Sequence, residues 1–221
     1  MLQIDLAGES LTLLAERALW WPAQSTLLIA DAHVGKGLTF RARGVAVPSG
    51  TSDDTMDRLA ALLDRTGAAR VVFLGDLLHA REARQPALME TLAGLHAPGV
   101  EWVLVRGNHD LHAGVPTELG LTVVDEPLLM APFALCHHPD ARPGHYVLAG
   151  HIHPALRVKA GGDRLRLPCF AFGTEVGLLP AFGSFTGHMT LEPDAGMRCF
   201  VAAADRVLEV PHASARRRGK A

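Results

Sequence analysis

Short apolar, β-branched runs recur along the first half of the chain, and each gives way abruptly to polar residues. The runs at 26–30, 70–74 and 100–105 are nearly free of charge, which is typical of buried strands. Between them, apolar residues recur with helical spacing at 51–66 and 86–95. This alternation of strand, polar turn and helix predicts a mainly parallel sheet with right-handed crossovers and with its polar turns along one edge.

The segments around this unit show other patterns. The runs at 2–6 and 11–15 indicate a β-hairpin, and residues 18–21 indicate a third strand. Residues 40–52 show no periodicity and predict an irregular loop, and Thr51-Ser52-Asp53 is expected to cap the helix that follows.

The second half of the chain lacks helical patterning and consists of strand-like runs separated by Gly and Pro. These runs cover residues 121–124, 128–137, 146–150, 155–159, 164–172 and 199–210. They predict a second, mostly antiparallel sheet packed on the first, so that residues 1–211 form a single α/β domain. Residues 212–221 are a basic tail for which we expect no ordered structure.

Composition narrows the class of protein. The chain has 221 residues, of which 48% are hydrophobic, and a mean hydropathy of +0.17, which suits one globular domain or at most two small ones. No apolar run reaches the ~18 residues of a membrane span, and the N-terminus lacks a signal-peptide pattern. Three widely spaced cysteines favour reduced thiols in a cytoplasmic protein. A net charge of −2 gives no overall case for a polyanionic partner.

Five of the predicted strands end in polar clusters. These clusters are Asp31 with His33, Asp76, Asn108 with His109 and Asp110, His137, and His151 with His153. Each alone has an ordinary explanation, since Gly-Asn is a common turn dipeptide and His-x-His at a strand end often binds nothing. Chance does not explain all five together, because α/β proteins usually place their chemistry at the carboxyl ends of buried strands.

The donor types in these clusters indicate a pair of metal ions. Without His109 and Asp110, the clusters offer four imidazoles, two carboxylates and one amide oxygen. These donors are too many for one tetrahedral ion and suit two ions that share a bridging ligand. A mixture of oxygen and nitrogen donors without thiolate favours manganese, iron or zinc.

Basic residues follow the first cluster. Gly35-Lys36-Gly37 lacks the spacing of a phosphate-binding loop, so we reject that function for it. Arg41 and Arg43 lie in the predicted loop just beyond. They would either contact a substrate phosphate or remain in solvent, and the sequence leaves both interpretations open.

The order of the clusters carries a family resemblance. The motifs Asp31-Ala32-His33, Gly75-Asp76, Gly107-Asn108-His109-Asp110, His137 and Gly150-His151-Ile152-His153 resemble those of the calcineurin-like metallophosphoesterases, across residues 29–154. This resemblance implies a four-layer α/β/β/α sandwich with a dinuclear metal site at the C-terminal ends of strands.

The resemblance also implies individual ligands. Asp31, His33 and His153 would hold the first ion, and Asn108, His137 and His151 the second. Asp76 would bridge the two ions. His137 is preferred to its neighbour His138 because the ligand in this motif usually stands two residues before proline.

A hydrolytic mechanism follows from the same resemblance. A hydroxide that bridges the two ions would attack phosphorus. His109 would donate a proton to the leaving oxygen, and Asp110 would fix the tautomer of His109. His79 is a weaker candidate for contact with substrate, because a histidine in a surface loop commonly has no such role. His138, a neighbour with no assigned role, is another weak candidate.

A narrower resemblance covers most of the chain. The runs at 31–36, 41–48, 75–79 and 179–187 resemble the ligase-associated DNA-damage-response metallophosphoesterases, known as PdeM-like. This resemblance implies a manganese-dependent endonuclease that cuts single-stranded or distorted DNA during repair, in association with a helicase and a ligase. Arg41, Arg43 and the basic tail are then the expected contacts to DNA phosphates.

Two other functions stay open. One is a small-molecule or nucleotide phosphodiesterase or phosphatase of the same superfamily, although no evident insertion encloses a small ligand. The other is a non-catalytic scaffold such as the retromer subunit of this fold. That function is disfavoured because such proteins lose ligand histidines and none is missing here.

Overall fold

The computed structural model describes residues 1–47, 51–160 and 162–211. It contains two mixed β-sheets packed face to face. Four α-helices accompany the sheets in these residues: α1 (Lys36–Ala42), α2 (Thr51–Thr66), α3 (Pro86–Gly94) and α4 (Asn108–Ala113). The α/β sandwich predicted from the sequence is therefore confirmed. The basic tail, Pro48 and the side chains of the expected cap Thr51-Ser52-Asp53 lie outside the described residues.

The first sheet follows the chain order. Its strands are β1 (Leu2–Leu6), β2 (Glu9–Leu13), β3 (Leu19–Trp21), β4 (Thr26–Ala30), β5 (Arg70–Leu74), β6 (Glu101–Val105) and β7 (Thr122–Val124). Strands β1 to β4 pair antiparallel, as predicted for the hairpin, and β4 to β7 pair parallel. The prediction that 121–124 belongs to the second sheet is wrong, because an alternating pattern indicates a strand but not its partner.

The second sheet contains the remaining strands. They are β8 (Leu128–Met130), β9 (Phe133–Cys136), β10 (Tyr146–Ala149), β11 (Pro154–Ala160), β12 (Asp163–Phe172), β13 (Val176–Leu178), β14 (Met189–Thr190), β15 (Arg198–Ala203) and β16 (Arg206–Val210). Most of its described pairs are antiparallel, as predicted. Strands β9, β10 and β13, however, pair parallel in its centre.

Helix α1 corrects another prediction. The irregular loop expected from residue 40 begins only after Ala42, where α1 ends. Gly35, with a φ of 78°, turns the chain into this helix, and Leu38 packs against the hydrophobic cluster outside the first sheet. Seven residues give only one or two inward positions, which is too few to appear as a helical period in the sequence.

The core explains why polar residues collect at the strand ends. Leu28, Val72 and Val103 face the second sheet, and Ile29, Phe73 and Leu104 face the cluster to which the helices contribute. Because β4, β5 and β6 are thus buried on both faces, their polar neighbours in sequence lie in the turns at their ends.

The structure also tests two predictions made from composition, namely reduced cysteines and the absence of a membrane span. Cys136, Cys169 and Cys199 are free and buried, as predicted for reduced thiols. Burial raises the pKa of the Cys169 thiol to about 12, so this group is protonated and unreactive near neutral pH. None of the described helices combines the length and the apolar character that crossing a membrane requires.

Candidate metal centre

The polar turns after β4, β5 and β6 lie side by side because these strands are parallel and adjacent. The His33 N–H donates to the Asp76 carbonyl at 2.9 Å, which ties the first two turns together. In the second sheet, β9 and β10 are parallel neighbours, so His137 and His151 follow adjacent strand ends. The packing of the two sheets then brings all seven predicted donor side chains into one pocket.

The first group of donors consists of Asp31, His33 and His153, whose ligand atoms all lie within 4.8 Å of one another. The Nε2 atoms of His33 and His153 are 3.3 Å apart, and His153 Nε2 is 3.5 Å from Asp31 Oδ1. Asp76 Oδ2 approaches His33 Nε2 to 3.7 Å. These are the residues predicted for the first ion, with the predicted bridging carboxylate beside them.

The second group is centred on His137. Its Nε2 atom lies 2.9 Å from Asn108 Oδ1 and 3.1 Å from His151 Nδ1. Asp76 Oδ1 is 3.6 Å from the same nitrogen. Asp76 therefore presents one oxygen to each group, as a bridging ligand would.

Asp31 shows that this pocket suits a cation. Its Oδ2 atom accepts the His151 N–H at 2.8 Å, whereas its Oδ1 atom is buried and has no hydrogen-bond partner among the described residues. A buried carboxylate oxygen without a partner is costly unless a cation or donor satisfies it. Donors bound to one ion at about 2.1 Å lie about 3 to 3.5 Å apart, which matches the closest separations in both groups.

Outer hydrogen bonds orient two of the imidazoles. His137 Nδ1–H donates to the Leu74 carbonyl at 3.1 Å, and His153 Nδ1–H donates to the Gly187 carbonyl at 3.0 Å. A carbonyl only accepts, so these bonds place the proton on Nδ1 and leave the lone pair of Nε2 to face the pocket. Metal-bound histidines are commonly fixed in this way.

The backbone at the site is strained. The angle φ is positive at Asp31 (50°), His33 (42°), Asp76 (52°), His151 (67°) and His153 (51°). Left-handed backbone at a non-glycine residue costs about 1–3 kcal/mol and persists only where the surrounding structure enforces it. Such strain is concentrated at functional sites, and here it redirects the chain so that successive side chains face one pocket.

Glycines allow the turns to approach the donors. A Cβ added to Gly75 would overlap the His137 ring, and one added to Gly107 would overlap Asp76 Oδ1. A Cβ on Gly150 would lie 2.5 Å from Asp31 Oδ2. Glycine therefore precedes Asp76, Asn108 and His151 because the backbone there passes directly against a donor from another strand.

Burial acts against the charged form of the donor imidazoles, although the nearby Asp31 outweighs it at His153 and raises the pKa of that ring. Burial lowers the pKa of His33, His137 and His151, which favours the neutral, ligating form of each imidazole. Burial also raises the pKa of the Asp76 carboxyl, and the nearby Asp31 adds to that effect. Two buried carboxylates that repel each other favour the binding of a cation between them.

Comparisons with known proteins decide the family. The calcineurin-like phosphoesterase family matches residues 25–131. A nuclease of Pseudomonas putida called MPE, known from its crystal structure, is 42% identical to this chain; the similarity covers 95% of this chain and 99% of that one, with a TM-score of 0.84. The chain belongs to the calcineurin-like phosphoesterase family.

The other comparisons add little. The phosphoesterase Yfce from E. coli is 15% identical, covers 84% of this chain and 97% of that chain, and has a TM-score of only 0.41. No curated protein matches the chain significantly. The family resemblance predicted from the sequence is confirmed, and the family together with the His/Asp groups indicates divalent metal ions as cofactors of this calcineurin-like phosphoesterase.

His109 of the phosphoesterase lies beside the first group of donors. Its ring centroid is 4.9 Å from that of His33 and 4.8 Å from that of His79. His109 Nδ1–H donates to the His79 carbonyl at 2.7 Å. This bond fixes the tautomer of His109 and leaves Nε2 as the atom available for proton transfer.

Asp110 does not have the contact expected of it. Its two oxygens accept backbone N–H groups of Asp76 at 2.8 Å, Leu77 at 3.0 Å and Gly107 at 2.9 Å. The prediction that Asp110 fixes the tautomer of His109 is therefore wrong, because Asp110 binds backbone N–H groups of the turns after β5 and β6 and the His79 carbonyl accepts the His109 Nδ1–H. Burial raises the pKa of Asp110 to about 6, although these N–H groups oppose the rise. Asp110 joins two ligand-bearing turns.

The other predicted contacts are scattered around the pocket. His79 stacks on His109, and His138 lies with a centroid distance of 4.6 Å from His151. Arg43 forms a salt bridge with Glu82 at 3.1 Å, and Arg41 donates to the Val47 carbonyl at 3.5 Å. Neither arginine has a contact with the donor groups in the described residues.

Two residues near the site were missed by sequence reasoning. Glu126 accepts the N–H groups of His137 at 2.7 Å and His138 at 2.9 Å, and it also binds the His138 ring at 2.9 Å. Lys36 is half-buried next to His33, and its charge lowers the pKa of that histidine further than burial alone. Asp125-Glu126-Pro127 has the composition of an ordinary turn, and Gly35-Lys36-Gly37 lacks the spacing of a phosphate-binding loop, so neither segment carries a sequence signal for a site residue.

Proposed function

We propose that this phosphoesterase is a metal-dependent endonuclease that hydrolyses phosphodiester bonds of single-stranded or distorted DNA. The observation that supports this proposal most strongly is the 42% identity to a nuclease along 95% of the chain, combined with a cluster in which all seven expected donors lie close together. The narrower resemblance of the outer sequence motifs to DNA-repair endonucleases points in the same direction.

The proposed ligands are those that the sequence indicates. Asp31, His33 and His153 would hold one ion, Asn108, His137 and His151 the other, and Asp76 both. Bound divalent ions would lower the pKa of a water molecule and offset charge on the phosphoryl oxygens. The mixture of oxygen and nitrogen donors supports manganese as the native metal, with iron or zinc as alternatives.

His109 is the proposed proton donor. Its Nδ1–H is held by the His79 carbonyl, so a second proton on Nε2 would be the one transferred to the leaving oxygen. Asp110 acts as a positioning residue, because it holds the turn that carries His109 against the turn that carries Asp76.

The cellular setting is part of the proposal. A role in DNA repair beside a helicase and a ligase is supported only by the sequence resemblance. A cytoplasmic location is supported by three free, buried cysteines, because such thiols persist in a reducing compartment.

A matrix of metals and substrates tests the function. Metal-free protein would be loaded separately with manganese, iron, zinc or magnesium and incubated with circular single-stranded DNA, circular duplex DNA, RNA and small phosphodiesters. The proposal expects linearised single-stranded circles, most rapidly with manganese. Hydrolysis of small diesters without cleavage of DNA would contradict it and favour a nucleotide phosphodiesterase. Cleavage of intact duplex DNA as fast as of single strands would contradict the proposed preference.

A further inference from the structure

The loop at residues 180–188, here called the Phe185 loop, is fastened to the metal centre. The N–H of Phe182 donates to the Ala30 carbonyl at 2.8 Å, and the N–H of Gly183 donates to the Asp31 carbonyl at 3.1 Å. At its other end, the Gly187 carbonyl accepts His153 Nδ1–H. The loop is therefore fixed relative to two proposed ligands, although the proposed reaction gives it no part.

Helix α2 also contacts the Phe185 loop, through Arg58. The Arg58 guanidinium donates to the Phe182 carbonyl at 2.5 Å and to Ser184 Oγ at 3.1 Å. It also lies 4.7 Å from the centroid of the Phe182 ring. These contacts hold the residues that precede Phe185 in place before any substrate arrives.

Phe185 begins a row of rings that leads from the surface to the metal centre. Its ring packs edge-on against Phe40, with centroids 5.7 Å apart. Phe40 lies nearly parallel to His79 at 6.0 Å and 15°, and His79 lies nearly parallel to His109 at 4.8 Å and 25°. Phe185 is nevertheless 38% exposed, so the row ends in an aromatic ring that is partly open to solvent.

Lys36 adds a positive charge at the same place. Lys36 and Phe185 line one small cleft together with His33. No described residue gives the Lys36 ammonium a hydrogen bond or salt bridge, and the carboxylates that act on it are Asp31 and Asp76 of the metal centre. A half-buried ammonium without a partner, next to an exposed ring on a fixed loop, is suited to a ligand that carries both a phosphate and a flat aromatic group.

We propose that Phe185 and Lys36 form a nucleotide subsite, in which the Phe185 ring stacks on the base next to the scissile bond and Lys36 binds the adjoining phosphate. A base stacks on a protein ring only when it has left its neighbours in the helix, so this subsite accounts for a preference for single-stranded or distorted DNA. The proposal rests on the proposed nuclease function and identifies which part of the substrate the protein holds.

Binding of matched oligonucleotides tests the aromatic half of the subsite. Fluorescence anisotropy would measure the Kd of oligothymidylate and of an abasic oligonucleotide of equal length and charge. All proteins would be metal-loaded and carry His109→Ala to prevent cleavage. We expect the protein with Phe185 to bind the base-bearing strand about tenfold more tightly, a modest value for one stacked base. Phe185→Ala should abolish this preference and Phe185→Tyr should retain it.

Leu208→Ala provides the matched control, since Leu208 is 49% exposed on β16 and has no contact with the site among the described residues. It should leave the base preference unchanged. The stacking role is contradicted if the protein with Phe185 shows no preference, or if Phe185→Ala retains it.

The salt dependence of binding tests the other half. Lys36→Met should weaken the binding of both oligonucleotides by the same factor. It should also reduce the slope of log Kd against log salt concentration by about one, as expected for the loss of one phosphate contact. Lys36→Arg should retain the slope, and an unchanged slope in Lys36→Met would overturn the phosphate contact.

Different results would refute the proposed subsite and the proposed nuclease function. Metal-loaded protein that retains His109 and binds bases through Phe185 without cutting DNA would refute the function alone. Protein that cuts DNA but shows no base preference would refute the subsite alone.

Discussion

The first sheet places Asp31, Asp76 and Asn108 at the ends of strands buried on both faces, whereas the second sheet places His137 at the end of a buried strand and His151 and His153 in a more exposed turn. Oxygen donors thus come from the first sheet and imidazoles mainly from the second, with His33 as the exception. Neither sheet alone provides all the donors of either group.

Because the donors come from both sheets, metal binding depends on how the two sheets pack against each other. His137 Nδ1–H donates to the Leu74 carbonyl of the first sheet, and the His151 N–H donates to Asp31 Oδ2. These bonds between the sheets set the distances among the donors. A change that shifts one sheet against the other should therefore weaken metal binding even when every donor remains.

The largest effect is expected at the carboxylate that serves both groups. Asp76→Asn should reduce bound metal from two ions per chain to fewer than one and lower activity by more than about a hundredfold, the upper range for loss of an outer-shell partner. Metal analysis by mass spectrometry measures the content. His151→Ala, which alters the second group alone, should retain one ion. Asp205→Asn on the exposed β15–β16 turn is the control, and two ions retained in Asp76→Asn would contradict a shared ligand.

Removal of the proposed proton donor should separate binding from catalysis. His109→Ala should lower kcat about 10²–10⁴-fold, the usual contribution of a general acid, while metal content remains unchanged. His145→Ala, at a histidine outside every donor group found in the described residues, is the control. Unchanged turnover in His109→Ala would refute the role, and loss of metal would reassign His109 as a ligand.

The dependence of metal binding on sheet packing can be tested by adding one methyl group where the two sheets meet. Gly150→Ala places a Cβ 2.5 Å from Asp31 Oδ2, so the second sheet must move away from the first. We expect metal affinity to fall about 10–100-fold, as for other changes next to a ligand. Titration calorimetry would measure it, and Gly94→Ala, which meets nothing within 4 Å, should leave it unchanged. Equal affinities in the two variants would argue against a site that depends on sheet packing.

A smaller effect is expected at Glu126, within the second-sheet half of the site. Glu126→Ala leaves the N–H groups of His137 and His138 without their acceptor and should lower the free energy of unfolding by about 1–3 kcal/mol. Chemical denaturation of metal-free protein would measure the loss, with Glu118→Ala on an exposed turn as the control. A loss no larger than that of the control would show that water replaces the carboxylate.

The same variant has a defined pH dependence. Burial alone would raise the pKa of Glu126, but its bonds to His138 and His137 lower it below the ordinary value of 4.5. Its contribution to stability is therefore complete above that value and disappears as the pH falls through the lowered pKa. The difference between the protein with Glu126 and Glu126→Ala should narrow only in that acidic range.

The sequence predicted the first sheet better than the second. Strands β4, β5 and β6 are visible because each is an uninterrupted apolar run, and the donors follow each run directly. The partner of β7 could not be predicted, since pairing depends on contacts between residues far apart in sequence. The contacts of Asp110 and Glu126 were missed for the same reason: both carboxylates bind backbone N–H groups that every residue except proline possesses, so no residue type reveals the partner.

If donors from both sheets hold two ions that share Asp76, anomalous diffraction from crystals of the manganese-loaded protein will locate both ions. We expect two peaks, one contacting Asp31, His33 and His153 and the other contacting Asn108, His137 and His151, with Asp76 touching both. A single peak, or a peak bound by His79 and His109 instead, would contradict this expectation.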